Sequence, residues 1–156
     1  MSDAIEIIKG DICDTDCKLI LHQVNCQNAM GKGFSEDLYT RWPEVKSEYH
    51  KMAGILEPRV LLGRIQPVLL KEFAGQKIVI NMFTQFDYGF KKGVVYTNYD
   101  VLEKTFDKIN ITYAGESVAV PQGFACGRRA GGDWLKVEPM IINRLKDMRV
   151  KFYMKG

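Results

Sequence analysis

The chain has 156 residues, of which 46% are hydrophobic and 26% are charged, and its formal net charge is +3. These values are typical of a soluble globular protein, and we expect a single domain over residues 1–156. The near balance of basic and acidic residues argues against a protein held to nucleic acid mainly by a basic face. No apolar run reaches the roughly 18 residues that a membrane span requires, and residues 1–5 do not resemble a signal peptide.

The four cysteines, Cys13, Cys17, Cys26 and Cys126, follow no zinc-ligand spacing, so we predict no metal site. Reduced thiols in the cytoplasm are the expectation for such a chain. We also expect no cofactor and no membrane partner, and we expect the protein to be a monomer.

Short apolar segments alternate with amphipathic ones along the chain. Strands are predicted at residues 4–8, 19–24, 60–68, 77–83, 117–120 and 150–154. Apolar residues three and four apart predict helices at 42–52, 99–109 and 134–148, with a short helix at 34–39. Thr97 and Asp100 resemble a capping box, and Asp133 is a candidate N-cap. This alternation predicts a three-layer α/β/α domain around a mixed, mostly parallel central sheet.

Ligands of such sheets bind beyond the carboxyl ends of the strands, so the segments after the strands are the candidate site. After the first strand, Asp11 can accept a hydrogen bond from an amine or a hydroxyl, or can instead cap its own turn. The second strand leads from His22 through Asn25 to Gly31-Lys32-Gly33. Its amides suit sugar hydroxyls, and its glycines let backbone N–H groups approach an anion. His22 is either a core histidine or a member of the site.

Two later segments extend this candidate site. Four glycines fall between Gly123 and Gly132, after a buried strand and before a helix. The backbone N–H groups of such a loop can hold a diphosphate. Arg128 and Arg129 in the same loop face either the phosphates or the solvent. The segment 84–93 is either a mobile loop that covers a site or an ordinary surface loop.

Taken together, these segments resemble the macro domain family, whose members bind ADP-ribose. The resemblance covers nearly the whole chain and rests on Lys9-Gly10-Asp11-Ile12, His22-x-x-Asn25, Met30-Gly31-Lys32-Gly33, Asn81-Met82-Phe83-x-Gln85 and the stretch from Pro121 to Trp134. Within the family, the chain is similar to small proteins that include ADP-ribose-1″-phosphate phosphatases and hydrolases of glutamate-linked ADP-ribose.

The resemblance implies roles for the matching positions. Asp11 would accept a hydrogen bond from the adenine amino group, with Ile12 and Tyr153 beside the base. Asn25 would hold the distal ribose, with His22 close by. The other implied ligand contacts are Gly31, Lys32, Gly33, Phe34, Gln85, Pro121, Gly123, Phe124, Ala125, Cys126 and Gly127.

The chain also departs from the hydrolases of this family. One branch relies on a lysine after the fourth strand, where this chain has Thr84-Gln85-Phe86-Asp87, and on an aspartate after the last Cys-Gly, where Arg128 and Arg129 follow. A larger class uses Gly-Gly-Val-Asp in the first loop, and the corresponding stretch that ends at Ser35 lacks that aspartate. The remaining catalytic candidates are His22 as an acid or base, Asn25 as a residue that positions water, and Asp133, which is otherwise only a helix cap.

Three hypotheses follow. The first is an enzyme that removes a 1″-phosphate, an O-acetyl ester or an ADP-ribosylated side chain or base from the distal ribose, with modified protein or nucleic acid among its substrates. The second is a module that binds ADP-ribose without chemistry. The third is an α/β domain that binds nucleic acid through Lys91, Lys92, Arg128 and Arg129, and the near-neutral net charge counts against it. We favour the first, because a chain with one domain has no other domain to recruit.

Overall fold

Residues 5–155, which the computed structural model describes, form a six-stranded sheet with helices on both faces. The strands are β1 Ile5–Lys9, β2 Leu19–Asn25, β3 Ile65–Leu69, β4 Ile78–Gln85, β5 Ser117–Pro121 and β6 Arg149–Met154. Their order across the sheet is β1-β6-β5-β2-β4-β3, and of these strands only β3 runs antiparallel to its neighbour. The predicted fold class is therefore confirmed. Ala4, with which the first predicted strand begins, lies outside the described residues.

The helices are α1 Phe34–Arg41, α2 Glu44–Ile55, α3 Pro58–Leu61, α4 Tyr99–Thr112 and α5 Trp134–Arg144. Alternate residues of β2 show how they cover the sheet. Leu19 and Leu21 belong to the core cluster of α4 and α5, whereas Ile20 belongs to the cluster of α1 and α2 on the other face. This alternation is expected for a strand that is covered on both sides. Within residues 5–155, no helix combines the length and the apolar character needed to cross a membrane.

Three local predictions are wrong. The third strand begins at Ile65, because Pro58 starts a short helix at a position where its missing N–H is not needed. Asn98 caps α4, and its Oδ1 accepts from the Val101 N–H at 3.1 Å, whereas the Thr97 hydroxyl donates to the Ala125 carbonyl at 2.7 Å. The segment 84–93 is a loop only after residue 85, because β4 stays paired with β2 as far as Gln85.

Two helix predictions also need new limits. The helix predicted over 42–52 begins at Glu44, and the helix predicted over 134–148 ends at Arg144. The predicted N-cap of the latter is confirmed, since Asp133 Oδ1 accepts from the Leu135 N–H at 3.0 Å. Because β1, β2, β4, β5 and β6 run parallel, their carboxyl ends lie at one edge of the sheet, where the predicted site residues meet.

Candidate functional site

Two adjoining cavities open at the carboxyl edge of the sheet. The central cavity, of about 890 Å³, lies over the ends of β2, β4 and β5. The edge cavity, of about 1250 Å³, lies over the ends of β1 and β6. Gly33, Phe34, Pro121 and Gln122 line both cavities, so an elongated ligand can occupy the two together.

Most of the predicted site residues line one of the two cavities. Those that line the central cavity are His22, Asn25, Gly31, Lys32, Gly33, Phe34, Gln85, Pro121, Gly123, Phe124, Ala125 and Gly127. The edge cavity adds Asp11, Ile12 and Tyr153. Cys126 and Asp133 line neither of them. The roles of these residues toward a ligand stay predictions.

The cavities differ in charge. The basic residues that line the central cavity are Lys32, Lys46, Arg128 and Arg129, and no Asp or Glu is among its described lining residues. The edge cavity is mixed, with the acidic residues Asp11, Glu36 and Asp37 and the basic residues Arg41 and Lys155. The central cavity therefore favours an anion, whereas the edge cavity suits a group without net charge.

The loop from residue 122 to residue 132 is held together by hydrogen bonds between its own backbone groups. The Gly131 N–H donates to the Gly127 carbonyl at 2.8 Å, and the Gly132 N–H donates to the Ala125 carbonyl at 3.1 Å. Gly123 and Gly131 have φ values of +83° and +75°, which glycine adopts without strain. A Cβ atom at position 132 would lie 2.3 Å from the Ala125 carbonyl oxygen. Several of the predicted glycines are thus required by the geometry of the loop.

His22 lies at the floor of the central cavity, with only 1% of its surface exposed. Its Nδ1 is 2.8 Å from Asn81 Oδ1, and its Nε2 is 2.7 Å from the Ser35 hydroxyl oxygen. The Asn81 amide nitrogen donates to Gln66 and to the Val45 carbonyl, so the Asn81 oxygen faces His22 as an acceptor. The Nδ1 atom therefore carries the proton, and Nε2 accepts from Ser35.

Burial determines the charge of this imidazole. It lowers the pKa of His22 from 6.5 to about 4, because a charged ring would lose its hydration in the core. His22 is consequently neutral at pH 7, with Nε2 as a hydrogen-bond acceptor. His22 is thus a buried, hydrogen-bonded core residue that also lines the cavity, and its role toward a ligand stays a prediction.

The Asn25 side chain shapes the loop that follows β2. Its Nδ2 donates to the Ala29 carbonyl at 2.7 Å, and its Oδ1 accepts from the Gln27 N–H at 2.9 Å. The Tyr49 hydroxyl lies 2.9 Å from the same oxygen. Asn25 therefore fixes the position of the loop wall, a structural role that the sequence did not predict.

Replacing Asn25 by alanine is expected to lower the free energy of unfolding by about 1–3 kcal/mol, because the Ala29 carbonyl and the Gln27 N–H lose their partner. Urea denaturation would measure the change. The matched control is Asn143→Ala at an exposed position of α5, which should change stability by less than about 0.5 kcal/mol. Equal losses in the two variants would contradict the role assigned to Asn25.

A network of buried and half-buried polar side chains, which was not predicted from the sequence, joins the strand ends to the glycine loop. Gln23 Oε1 accepts from the Thr84 hydroxyl at 2.6 Å, and Gln23 Nε2 donates to Gln85 Oε1 at 3.2 Å. Gln85 Nε2 then donates to the Arg129 carbonyl at 2.9 Å. The available signal was the presence of glutamine and threonine inside otherwise apolar strands.

The mouth of the central cavity combines aromatic and basic side chains. The Arg129 guanidinium lies 5.0 Å from the centre of the Phe90 ring, and that of Arg128 lies 5.6 Å from it. Arg129 also donates to the Lys32 carbonyl at 3.4 Å, across the cavity. Phe90 is 61% exposed and Tyr88 is 42% exposed. We call Tyr88, Phe90, Arg128 and Arg129 the aromatic rim.

The edge cavity offers an acceptor at Asp11, with Ile12 and Tyr153 beside it. Asp11 Oδ1 accepts from the Cys13 N–H at 2.9 Å and so caps a 3₁₀ turn at Ile12–Asp14. The second oxygen of this exposed carboxylate can accept from a ligand. The Tyr153 hydroxyl donates to Thr15 at 2.7 Å, which fixes the ring as part of the wall.

Comparisons with known proteins agree with this architecture, although no protein-family model matches the chain. A DNA ADP-ribosyl glycohydrolase from Mycobacterium tuberculosis is 28% identical over 142 residues, which cover 89% of this chain but only 38% of that protein. A macrodomain protein from Streptomyces coelicolor has a TM-score of 0.76 at 26% identity, over 97% of this chain and 99% of that chain. Thermosipho africanus DarTG in complex with ADP-ribose has a TM-score of 0.75 at 19% identity, over 96% of this chain and 41% of that chain.

The Streptomyces coelicolor structure is matched over nearly its full length, so the similarity concerns the whole fold and not one part of it. The resemblance seen in the sequence motifs and the similarity of the folded chains point to the same conclusion. The chain has the fold of macrodomain proteins and is similar to them in sequence.

Proposed function

We propose that the protein binds ADP-ribose and hydrolyses a bond at its distal ribose. One observation carries the proposal: a cavity of mixed charge with an acceptor at Asp11 joins a basic, glycine-lined cavity that contains the neutral His22. This order of features matches a nucleoside that is joined by a diphosphate to a second sugar.

The chemistry of the two cavities supports one orientation of the ligand. The adenine amino group donates to Asp11, and the base lies between Ile12 and Tyr153. The diphosphate lies in the central cavity, where the α1 N-terminus and the loop from Gly123 to Gly127 present backbone N–H groups. The distal ribose then reaches the region of His22 and Asn25. Among the predicted residues, Cys126 and Asp133 are the ones for which the cavity lining gives no support.

The bond to be broken is proposed to be an ADP-ribosyl linkage. The name of the Mycobacterium tuberculosis relative supports this choice. The aromatic rim supports nucleic acid as the carrier of the linkage, because exposed aromatic rings and arginines can stack on bases. A 1″-phosphate, an O-acetyl ester and a glutamate ester are the alternative substrates.

A second candidate, a binding module without chemistry, is favoured by one observation. No carboxylate is among the described residues that line the central cavity, so none is placed there to activate water. Incubation with ADP-ribosylated single-stranded DNA, ADP-ribose-1″-phosphate and glutamate-linked ADP-ribosylated protein decides between the two. Turnover of none of them, with ADP-ribose bound, would leave the binding module.

Other aspects of the protein stay proposals. We propose one domain over residues 1–156, a monomer, and a cytoplasmic location. All four cysteines are free, which supports a reducing compartment.

Asp11→Ala is expected to weaken ADP-ribose binding about 10- to 100-fold, which is the usual effect of losing a hydrogen bond to a charged group. The wild-type protein should prefer ADP-ribose to its inosine counterpart, whose base lacks the amino group, and the variant should lose this preference. Calorimetry would measure both affinities.

The control is Asp16→Ala at an exposed carboxylate that pairs with Lys151 outside both cavities; it should bind ADP-ribose like the wild type. If the folded wild-type protein shows no binding at millimolar ADP-ribose, the proposed function is wrong. If binding is normal but Asp11→Ala keeps the preference for adenine, the placement of the base is wrong.

A further inference from the structure

Two basic side chains of α2, Lys46 and His50, line the central cavity together with Asn28. They are four residues apart in the helix and therefore lie on one face of it. Asn28 Oδ1 accepts from His50 Nδ1 at 2.6 Å, and no residue between 5 and 155 is hydrogen-bonded to His50 Nε2. The imidazole is thus held at one nitrogen and open to a ligand at the other.

The charge of Lys46 has no carboxylate beside it. Its amine lies 4.3 Å from the centre of the Tyr39 ring and takes part in none of the ion pairs within residues 5–155. Glu48 on the same helix pairs with Lys51 instead, at 3.2 Å. Lys46 can therefore interact with an anion in the cavity.

The positive charge around the central cavity exceeds what a diphosphate needs. The basic residues Lys32, Lys46, Arg128 and Arg129 line it, and none of its described lining residues is acidic. The two phosphoryl groups of a diphosphate carry one negative charge each, and backbone N–H groups of α1 and the glycine loop already stabilise them. Basic residues therefore remain for a further anion.

The order of the strands places α2 beyond the distal ribose. The edge cavity lies over β1 and β6, the strands β5 and β2 come next across the sheet, and α2 packs against β4 and β3. A ligand that begins in the edge cavity and has its distal ribose at the end of β2 would have the attached group near α2. The central cavity, at about 890 Å³, has room for this group, because sites of roughly 300–1,000 Å³ hold a whole drug-sized ligand.

We propose that Lys46 and His50 bind a phosphate of the group that is attached to the distal ribose. The inference rests on the proposed function and deepens it, because it names a nucleotide with its phosphate, rather than a nucleoside, as the carrier of the linkage. The phosphate oxygens accept from Lys46 Nζ and from Nε2 of the protonated imidazole, while Nδ1 keeps its bond to Asn28. A phosphate attached directly to C1″ shares this chemistry, and the test separates the two.

The site links binding to the protonation of His50. Burial and then the neighbouring charge of Lys46 lower the pKa of this imidazole. A phosphate between the two side chains would offset the charge of Lys46 and favour the protonated ring, so binding should weaken as the pH rises from 6 to 8. The other charged or titratable side chains around His50 are Tyr49, which packs against its ring, and those that line the same cavity, namely His22, Lys32, Tyr88, Arg128 and Arg129.

The test compares two glycosides of ADP-ribose by calorimetry. One carries at C1″ an alkyl chain that ends in a hydroxyl group, and the other carries the same chain with a terminal methyl phosphodiester, which does not titrate between pH 6 and 8. Chains of two, four and six carbons are compared. At the best length the wild-type protein should bind the diester about 10- to 100-fold more tightly, as expected for hydrogen bonds to a charged group. Lys46→Ala should remove most of this gain, and His50→Ala should remove part of it together with its pH dependence.

The gain is a ratio of two affinities of the same variant, so a general effect on ADP-ribose binding cancels. Lys51→Ala is the matched control, because it removes a positive charge from the same helix at a side chain that lines neither cavity. It should keep the wild-type gain. Lys46→Met, which retains the apolar stem beside Tyr39, replaces Lys46→Ala if the latter does not fold. A kinetic readout is the KM, which should be lower for an ADP-ribosylated dinucleotide than for the ADP-ribosylated nucleoside.

The results separate the phosphate site from the proposed function. No gain for the diester in the wild type, or equal losses in Lys46→Ala and Lys51→Ala, overturns the phosphate site while ADP-ribose binding stands. A gain for ADP-ribose-1″-phosphate that depends on Lys46, with none for any diester, also overturns it, because the phosphate would then lie on the ribose itself. If ADP-ribose and both glycosides fail to bind, the proposed function is wrong and the phosphate site is wrong with it.

Discussion

The Gly132→Ala variant is expected to bind ADP-ribose at least about 100-fold more weakly than the wild-type protein, because the loss of two backbone hydrogen bonds to a charged diphosphate costs roughly 3 kcal/mol or more. The new Cβ atom would lie 2.3 Å from the Ala125 carbonyl oxygen and 3.1 Å from its carbonyl carbon. Both atoms are backbone, so the contact can be relieved only by moving the loop. That movement would displace the N–H groups of residues 123–127 from the proposed diphosphate position.

Calorimetric titration with ADP-ribose would measure this loss, and thermal denaturation would show whether the variant stays folded. Gly54→Ala is the matched control, since its Cβ would meet only the Asn28 side chain at 4.0 Å within a helix. The control should keep its affinity and its stability, because alanine favours a helix over glycine. Wild-type affinity in a folded Gly132→Ala protein would show that this loop does not bind the diphosphate.

Acidification from pH 7.5 to 4 is expected to remove up to about 3 kcal/mol of stability through His22 alone. The pKa of His22 is 6.5 in the unfolded chain and about 4 in the folded protein, because burial disfavours the charged ring. Between these values the unfolded state binds the extra proton, so its free energy falls relative to that of the native state. The contribution of His22 is therefore complete above about pH 7 and is lost as the pH falls toward 4.

Urea denaturation across this pH range would measure the effect, with His22→Gln as the reference that cancels the titration of the carboxylates. The wild-type protein should lose more stability on acidification than this variant. The chain has one other histidine, His50, and burial lowers its pKa too. His50→Gln therefore serves as the control. This variant should keep the part of the pH dependence of stability that comes from His22. Parallel pH profiles for the wild type and His22→Gln would show that His22 is not shielded from protons in the folded state.

The sequence predicted the three layers of the fold and the edge of the sheet at which the candidate site lies. Both follow from local properties: apolar residues repeat at the period of a helix or a strand, and glycines cluster where a loop follows a strand. Strand limits were less well predicted, as Ile65 and Gln85 show. A strand continues as long as its neighbour supplies hydrogen bonds, and β4 continues to Gln85 because β2 runs beside it.

The sequence could not determine which hydrogen-bond partner each polar side chain has in the folded protein. Asn25 was predicted to hold a ligand, which stays a prediction, and nothing in the sequence indicated that its amide also fixes residues 27 and 29. From the sequence, Ser35 was noted only because it stands where one class of hydrolases in the resembled family has an aspartate, and Asn81 only as part of a motif. A buried polar atom must find a partner, and the fold decides which one is near.

The hydrogen bonds that join Ser35, His22 and Asn81 show most clearly what the sequence could not predict. His22 is separated by 13 residues from Ser35 and by 59 from Asn81, so no spacing in the sequence indicates their contact. The sequence by itself determined an α/β domain with a glycine-rich site at one edge of the sheet. Only the tertiary structure decided which hydroxyl meets the imidazole, because hydrogen bonds between distant residues depend on how the strands and helices pack.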